Sequence, residues 1–342
     1  MNLPKLLWVG EVFMKKILSL VLSALMIFAL VSLAGCGEKK TLKLGFGVYS
    51  ALSEVKNADG ETNGEAEAST TIAAVLLDED GKIVKCAIDT ADNKINFSSK
   101  GEAVAPTELR TKEEKGDDYN MKVKSPIAKE WFEQKDAFVS VIIGKTIEEV
   151  KAMEKDGKGD DTVTKAGCTI TITDFVLALE KAVANAADSN ATADDTLKLG
   201  VVSSQSDSKA AAEDAKGLNE ISTTAVAVAL NSKNEVTAAK TDTVQTAVEF
   251  DTKGVSETEF GKAIATKREL GDDYGMKAYA GAAKEWFEQA DAFDASIIGK
   301  TADGISALAD NTGKAGDELV TAGCTIKVGD MVNAAVKAAT VK

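Results

Sequence analysis

The sequence predicts an α+β protein of two tandem homologous domains, each a small antiparallel β meander packed with about three helices, after a lipoprotein signal peptide. Three observations carry this prediction: an internal repeat at an offset of about 155 residues, hairpin signals in each copy, and apolar stripes at helical spacing. The predicted segments are a signal peptide at 1–35 with its start at Met14, a lipidated N-terminus and tether at 36–40, repeat domains at 41–187 and 196–342, and a linker at 188–195. Domains of roughly 150 residues are of ordinary size.

The N-terminus has the pattern of an export signal. Lys15 and Lys16 precede an uncharged apolar run, residues 17–34, which ends in Leu33-Ala34-Gly35-Cys36. The run resembles a bacterial lipoprotein signal, in which the cysteine is lipidated and becomes the first residue. The alternative is a transmembrane anchor, because 18 residues nearly span a bilayer. The polar residues after Cys36 favour lipidation, which predicts a lipid-anchored protein on the extracytoplasmic face of the cell membrane.

The repeat covers the chain after the signal. Residues 116–146 return as 271–301 with 21 of 31 positions identical. Shorter blocks, Thr41–Gly45 and Ala166–Ile170, return as Thr196–Gly200 and Ala322–Ile326. The offset drifts by a few residues, so we expect short insertions in loops.

Each copy is predicted to begin with strands. In the first copy these are 42–44, 70–77, 82–89 and 94–97, with a loop around 55–67 and a turn at Asp78–Gly81 that joins a hairpin. In the second copy they are 223–230, 235–241 and 247–250, which are rich in β-branched residues.

Helices are predicted to follow the strands. Ile127, Trp131, Gln134 and Phe138 lie at helical spacing. Thr146 and Glu149 fit a capping box for a second short helix. Residues 169–172 alternate like a strand, and Asp174 can cap a helix over 175–186.

Composition restricts the function. The 342 residues contain no histidine, which excludes Ser-His-Asp and Cys-His catalysis and histidine-ligated metals. A net charge of −14 argues against nucleic acid as a partner. We therefore expect a non-catalytic binding protein, with a small molecule or a cell-surface partner as its ligand.

Two repeated motifs supply candidate ligand-binding residues. The first is Gly-Asp-Asp-Tyr, with candidates Asp117, Asp118, Tyr119, Asp272, Asp273 and Tyr274. We expect a turn followed by a left-handed residue at Asn120 and Gly275; the alternative is a calcium site completed by the loop at 156–161. The second is Lys-Glu-Trp-Phe-Glu-Gln, with Trp131 and Trp286, which pack in the core or form an aromatic wall for a flat ligand.

The third repeated motif is Ala-Gly-Cys-Thr, with Cys168, Thr169, Cys324 and Thr325. We expect each cysteine to be a small apolar residue that begins a buried strand. No pair spaced as Cys-x-x-Cys is present, so the sequence predicts no metal cluster.

Together these motifs resemble surface lipoproteins of anaerobic Firmicutes that carry the same duplicated domain. More distantly, the turn Asp80-Gly81-Lys82-Ile83 and the Ala-Gly-Cys-Thr motifs resemble exported FMN-binding lipoprotein domains. That resemblance implies FMN linked to Thr169 and Thr325 and electron transfer outside the membrane, as the alternative to a non-catalytic binding role.

Overall fold

The computed structural model describes residues 40–340. From Thr41 onward the chain forms one compact unit of mixed α+β structure with antiparallel sheets. The predicted signal peptide and Cys36 lie outside the described residues. We call residues 41–187 the first half and residues 196–340 the second half.

Two sheets contain the long strands. The first has the order β4-β3-β2-β1-β7, and the second has the order β10-β9-β8. The first-half strands are β1 (Thr41–Lys56), β2 (Gly64–Leu77), β3 (Ile83–Phe97) and β4 (Ala103–Val104). A two-residue pair, β5 (Glu154–Lys155) and β6 (Lys158–Gly159), forms a small separate sheet. The remaining strands are β7 (Ala187–Thr192), β8 (Thr196–Lys209), β9 (Gly217–Leu230) and β10 (Val236–Phe250).

The predicted hairpin is confirmed, but its strands are longer than predicted. The Asp78 carboxylate accepts the backbone N–H groups of Asp80 and Lys82 at 3.0 and 2.8 Å, and Gly81 adopts a φ of 73°. The predicted strands stopped short because serines and threonines continue them. These hydroxyls are buried and pair across strands, as Thr71 and Thr90 do at 3.0 Å. Hydrogen bonding offsets the cost of burying them.

The helices follow each set of strands. In the first half they are α1 (Lys112–Lys115), a 3₁₀ turn (Gly116–Tyr119), α2 (Trp131–Ile142), α3 (Ile147–Ala152), α4 (Asp161–Ala166) and α5 (Thr173–Ala184). In the second half they are α6 (Lys267–Leu270), a 3₁₀ turn (Gly271–Tyr274), α7 (Met276–Tyr279), α8 (Trp286–Ile297), α9 (Ala302–Ser306), α10 (Asp317–Ala322) and α11 (Gly329–Thr340).

The helix predictions are confirmed in part. The capping box of Thr146 and Glu149 is present. Ile127 lies before α2 and is 37% exposed, so it does not extend the buried stripe. Residues 169–172 form no strand, only a single bridge from Thr171 to Lys158. Asp174 does not cap α5; it lies in the first turn of that helix, where its charge favours the dipole.

The sheets pack face to face, and the longest helices cover their outer faces. Strand β3 packs on β8, β1 packs on β10, α5 covers β1 and β2, and α11 covers β8 and β9. The core between the sheets mixes the two halves, with Phe46 and Ile72 beside Val201 and Ala225. Strands that are buried on both faces contain apolar residues at successive positions, so they lack the alternation of apolar and polar residues that identifies a strand in a sequence.

Glycines let the outer helices lie close to the strands. A Cβ on Gly47 or Gly200 would collide with a helix carbonyl, that of Ala178 or Ala334. Gly47 and Gly200 are 153 residues apart, whereas the repeated Thr-Leu-Lys-Leu-Gly blocks are 155 apart. The structural counterpart of Gly200 is therefore Gly47, although the sequence repeat aligns it with Gly45. A shift of two residues leaves inward-facing side chains facing inward, because side chains alternate between the two faces of a strand.

Contacts between the halves are reciprocal. The rings of Phe97 and Phe250 stack with centroids 5.0 Å apart and planes 5° from parallel. The N–H of Ala58 donates to the Gly254 carbonyl at 2.9 Å, and the N–H of Ala211 donates to the Gly101 carbonyl at 2.7 Å. Phe97 and Phe250 are equivalent positions of the sequence repeat, and the two hydrogen bonds are equivalent to each other with the halves exchanged.

The predicted linker, 188–195, is built into this assembly. Strand β7 pairs antiparallel with β1, and Asp195 is buried, where its carboxylate accepts the N–H of Thr192 at 2.9 Å. The polar composition of this segment indicated a flexible connection. Backbone pairing along a sheet edge satisfies a polar strand as well as an apolar one.

Candidate ligand-binding site in the second half

The site is organised by the short helix α6. Thr266 and Glu269 form a capping box: the hydroxyl oxygen of Thr266 accepts the Glu269 N–H at 3.2 Å, and the Glu269 carboxylate accepts the Thr266 N–H at 3.0 Å. This turn holds Lys267 with its Nζ 4.8 Å from the ring centroid of Tyr274 and 5.6 Å from that of Trp286. Both distances are within the range of cation–π attraction.

A cavity of about 240 Å³ lies between these residues, the second sheet and the start of α11. Its walls are polar on the strand side and mixed on the helix side. The strand side supplies Ser222, Thr224 and Thr243; the helix side supplies Lys267, Trp286, Lys327, Asp330 and Met331; and Thr312, Gly313 and Gly329 complete the lining. The three strand hydroxyl residues are buried.

A groove of about 580 Å³ continues from the cavity and shares Lys267, Trp286 and Lys327 with it. It runs along apolar and aromatic side chains, among them Tyr274, Met276 and Tyr279, and Tyr279 is 90% exposed. The groove wall is held by Glu285, whose buried carboxylate accepts the N–H groups of Met276 and Lys277 at 2.8 and 2.9 Å.

The equivalent first-half glutamate, Glu130, is buried in the same way. It is 2% exposed, and its carboxylate accepts the N–H groups of Met121 and Lys122 at 2.8 and 3.1 Å. A carboxylate that receives two N–H bonds can be buried without a cation.

The lysines of the site have no carboxylate of their own. Within residues 40–340, neither Lys267 nor Lys327 forms an ion pair. Asp330 is the one carboxylate in the cavity wall, and it accepts the Ser204 hydroxyl at 2.7 Å. The cavity therefore contains two cations and one anion that is already hydrogen-bonded.

The first half contains the same lysine, but there it is paired. Lys112 lies 5.5 Å from the ring centroid of Tyr119 and 5.7 Å from that of Trp131. Its Nζ is 2.9 Å from the Asp92 carboxylate, in a pair whose side chains are 15% and 17% exposed. Asp92 also accepts the Ser69 hydroxyl at 2.9 Å. An internal carboxylate thus neutralises the lysine.

Further carboxylates surround the first-half pair. Burial, together with the charge of Asp92, raises the pKa of Glu67. Burial also raises the pKa of Asp174, the equivalent of Asp330. The second half retains the equivalents of both carboxylates, Glu220 and Asp330, but has the neutral Gln245 in place of Asp92.

Four substitutions between the repeats account for this contrast. Strand register makes Gln245 the equivalent of Asp92, because each lies opposite the equivalent serine, Ser222 or Ser69. Around the second-half cavity, Lys327, Gly329 and Met331 stand where the first half has Thr171, Thr173 and Phe175. Gln245 in place of Asp92 removes an anion, and Lys327 in place of Thr171 adds a cation. Gly329 and Met331 are less bulky than the Thr173 and Phe175 that they replace.

The Gly-Asp-Asp-Tyr motifs form 3₁₀ turns, each followed by the predicted left-handed residue, Asn120 at a φ of 59° and Gly275 at 80°. That prediction is confirmed. The aspartates are exposed or nearly so, and Asp118 pairs with Arg110 at 3.1 Å. Within residues 40–340 no group of three or more His, Cys, Asp or Glu side chains is placed to hold a metal ion. The tyrosines, not the carboxylates, reach the lysine site.

Both tryptophans of the repeated motif pack in the core. Trp131 and Trp286 are 3% and 4% exposed, whereas the adjacent Phe132 and Phe287 are half-buried. Trp286 packs in the core and also forms one wall of the cavity.

The Ala-Gly-Cys-Thr motifs anchor a loop to the aromatic helix. The N–H and hydroxyl of Thr169 donate to the Gln134 carbonyl oxygen at 2.9 and 3.0 Å, and those of Thr325 donate to Gln289 at 2.8 and 3.1 Å. Neither threonine lines the cavity. Flavin attachment at either threonine would replace the hydroxyl donor of this contact and leave the backbone N–H donor in place.

The cysteines of these motifs are not reactive groups. Cys168 and Cys324 are fully buried, and burial raises the pKa of each thiol to about 11. Cys86, Cys168 and Cys324 are all free thiols. A thiol with so high a pKa is a poor nucleophile and a poor metal ligand at neutral pH.

Searches against protein-family models, curated proteins and solved structures found no match to this chain.

Proposed function

We propose that the protein is a membrane-anchored extracytoplasmic lipoprotein whose second half binds a small anionic ligand without catalysing a reaction. One observation carries the proposal: Lys267 and Lys327 line a single cavity, and neither forms an ion pair within the described residues. The same lysine in the first half has its own carboxylate. Lys267 is half-buried and Lys327 is exposed, so Lys267 gains the more from an anion that replaces its lost hydration.

The lining of the site suits a binding role. Ligand pockets combine apolar and aromatic walls with a few convergent polar groups, and Trp286 and Met331 lie opposite Ser222, Thr224 and Thr243. No histidine is present, and Cys168 and Cys324 are buried thiols. The cavity lacks a paired nucleophile and base, which supports binding rather than catalysis.

Lipid anchoring at Cys36 is supported by the sequence that precedes it. Among the described residues, no helix combines the length and apolarity that crossing a bilayer requires. We expect Cys36→Ala to move the protein from the membrane fraction to the soluble fraction. A variant that stays with the membrane would contradict the lipid anchor and leave the ligand site untouched.

The ligand site is tested with matched lysine variants. Full-length protein in detergent is titrated with acetate, benzoate and inorganic phosphate, and binding is followed by calorimetry and by tryptophan fluorescence, because Trp286 lines the cavity. Lys267→Met removes a charge-assisted hydrogen bond of about 1.5–3 kcal/mol, so affinity for the bound anion should fall about 10- to 100-fold. Lys112→Met is the control and should leave affinity unchanged. Equal losses in both variants, or no binding of any anion, would overturn the proposal.

A further inference from the structure

We infer that the ligand is a monocarboxylate whose flat apolar part lies in the groove beside Tyr279. This inference rests on the proposed function and names the chemical class of its ligand. It follows from three comparisons with the first half: the internal partner of Lys112, the charge of the cavity wall, and the residue at the mouth of the groove.

The internal partner of Lys112 in the first half indicates that the ligand of the second half carries a carboxylate. Asp92 bonds Lys112 at 2.9 Å and accepts the Ser69 hydroxyl at 2.9 Å. The second half retains the equivalents of both partners, Lys267 and Ser222, in the cavity wall. A ligand carboxylate between them would make the two bonds that the first half makes internally. A planar carboxylate has the geometry and charge for one lysine and one hydroxyl donor.

The charge of the wall indicates a single negative charge on the ligand. Lys267 and Lys327 supply two positive charges and Asp330 supplies one negative charge. A monoanion neutralises the cavity, whereas a dianion would bring an unpaired charge close to Asp330. Like charges that are held close together in a partly buried site repel strongly.

The groove indicates that the ligand also has a flat apolar part. Tyr279 is 90% exposed, although the first half has a lysine, Lys124, at the same position of the repeat. With Tyr274 and Met276 it gives the groove an aromatic and apolar wall that opens directly onto Lys267. Stacking of a flat group on such a ring strengthens binding beyond the area it buries. The cavity would therefore bind the carboxylate of the ligand, and the adjoining groove would bind its flat part.

The test compares probes that differ in one property each. Full-length protein should bind benzoate at least tenfold more tightly than acetate, which lacks the flat part, and more tightly than inorganic phosphate, which carries more charge and no apolar part. Tyr279→Ala, which removes the ring without adding a charge, should weaken benzoate by up to about tenfold and leave acetate unchanged. This position is on the surface, so the variant does not disturb the core.

Gln245→Asp tests the internal-partner argument. The new carboxylate should pair with Lys267 as Asp92 pairs with Lys112, and benzoate affinity should fall at least tenfold. Gln245→Asn, which stays neutral, is the control and should retain binding; thermal melts of both variants establish that they fold. Unchanged binding in folded Gln245→Asp would overturn the inference.

The outcomes separate the two proposals. Binding of phosphate but not of benzoate would overturn the carboxylate inference and leave anion binding standing. Equal affinity for acetate and benzoate would overturn only the inference that the ligand has a flat apolar part. Failure of all three probes to bind would overturn both the inference and the proposed function.

Discussion

Both halves hold a lysine between a tyrosine and a tryptophan, Lys112 in the first and Lys267 in the second. In the first half Asp92 pairs with the lysine, whereas in the second half its equivalent, Gln245, accepts the Tyr274 hydroxyl at 3.0 Å and Lys267 lines a cavity. The surrounding framework of strands, caps and aromatic residues is common to both. The same framework therefore holds either a lysine with an internal carboxylate or a lysine beside a cavity, and the four substitutions between the repeats decide which.

A second comparison shows that the halves tolerate a reversal of charge. In the first half Lys135 of α2 pairs with Glu113 of α1 at 2.9 Å. In the second half the acidic and basic residues exchange helices, and Arg268 of α6 pairs with Asp294 of α8 at 2.8 Å. The helices are therefore joined by opposite charges in both halves, but the second pair is more deeply buried.

The stacked phenylalanines test whether the halves depend equally on their shared core. Phe97→Ala and Phe250→Ala should each lower the free energy of unfolding by about 3–5 kcal/mol, because both rings are fully buried and stacked on each other. Urea unfolding measures the change. The double variant should lose less than the sum of the single losses, since each single variant already removes the stacking. Additive losses would show that the two rings act separately.

The reversed ion pairs should differ in strength. Asp294→Ala leaves Arg268 paired with Asp291 at 2.8 Å but also removes the acceptor of the buried N–H and hydroxyl of Thr241, so the free energy of unfolding should fall by about 3 kcal/mol. Glu113→Ala removes a carboxylate that is 42% exposed, and Lys135 retains Asp136 at 2.7 Å, so the loss should be about 1 kcal/mol or less. Urea unfolding at pH 7 compares them. Equal losses would contradict the difference in burial.

The sequence predicted the mixed class, the meander and the repeat, because those depend on patterns that a single chain displays. It did not predict that the two halves share a core. The apolar faces that meet between the sheets, such as those of Phe46 and Val201, look the same whether they pack within one half or across two. Strand length was underestimated for a related reason: the buried residues Thr90 and Asn93, which join the two predicted strands 82–89 and 94–97 into β3, have the composition of a turn.

The candidate site was predicted only in its aromatic part. Tyr274 and Trp286 were visible as repeated motifs, whereas Lys267 and Lys327 are ordinary lysines in an acidic chain. Their importance depends on which carboxylates lie near them, and this follows from strand register. Comparing the two repeats position by position, with Asp92 against Gln245, is the signal that could have found the site.

Two buried aspartates should give the halves different pH dependence. Burial raises the pKa of Asp89 from its ordinary 3.8 to about 7, and that of Asp242 to about 6, where Arg268 lies nearby. A raised carboxyl pKa means that the folded protein binds more protons than the unfolded chain between the two values. The contribution of each aspartate to the free energy of unfolding is therefore at its full value below pH 4. It falls as the pH rises, by at most about 1.4 kcal/mol per pH unit.

Variants of these aspartates separate the two contributions. Asp89→Asn should flatten the decline in unfolding free energy between about pH 4 and 7, and Asp242→Asn should flatten it only to about pH 6. Urea unfolding at steps of half a pH unit provides the measurement. The asparagine oxygen can still accept the N–H groups of Thr90 and Thr243 that the aspartates accept. Identical pH profiles for the two variants would remove the predicted influence of Arg268.

The smallest expected effect concerns the reciprocal ion pairs between the halves. Lys181 bonds Glu269 at 2.6 Å, and Lys337 bonds Glu114 at 2.5 Å. Each glutamate also caps a helix, so the lysines rather than the glutamates are the positions to change. Lys181→Met and Lys337→Met should each cost about 0.5–1 kcal/mol, because the pairs are only partly shielded from solvent. The two costs should agree within error in urea unfolding and shrink together at high salt. If only Lys181→Met changed anion binding, the Glu269 cap that supports Lys267 would be coupled to the opposite half, and the open site would depend on both repeats.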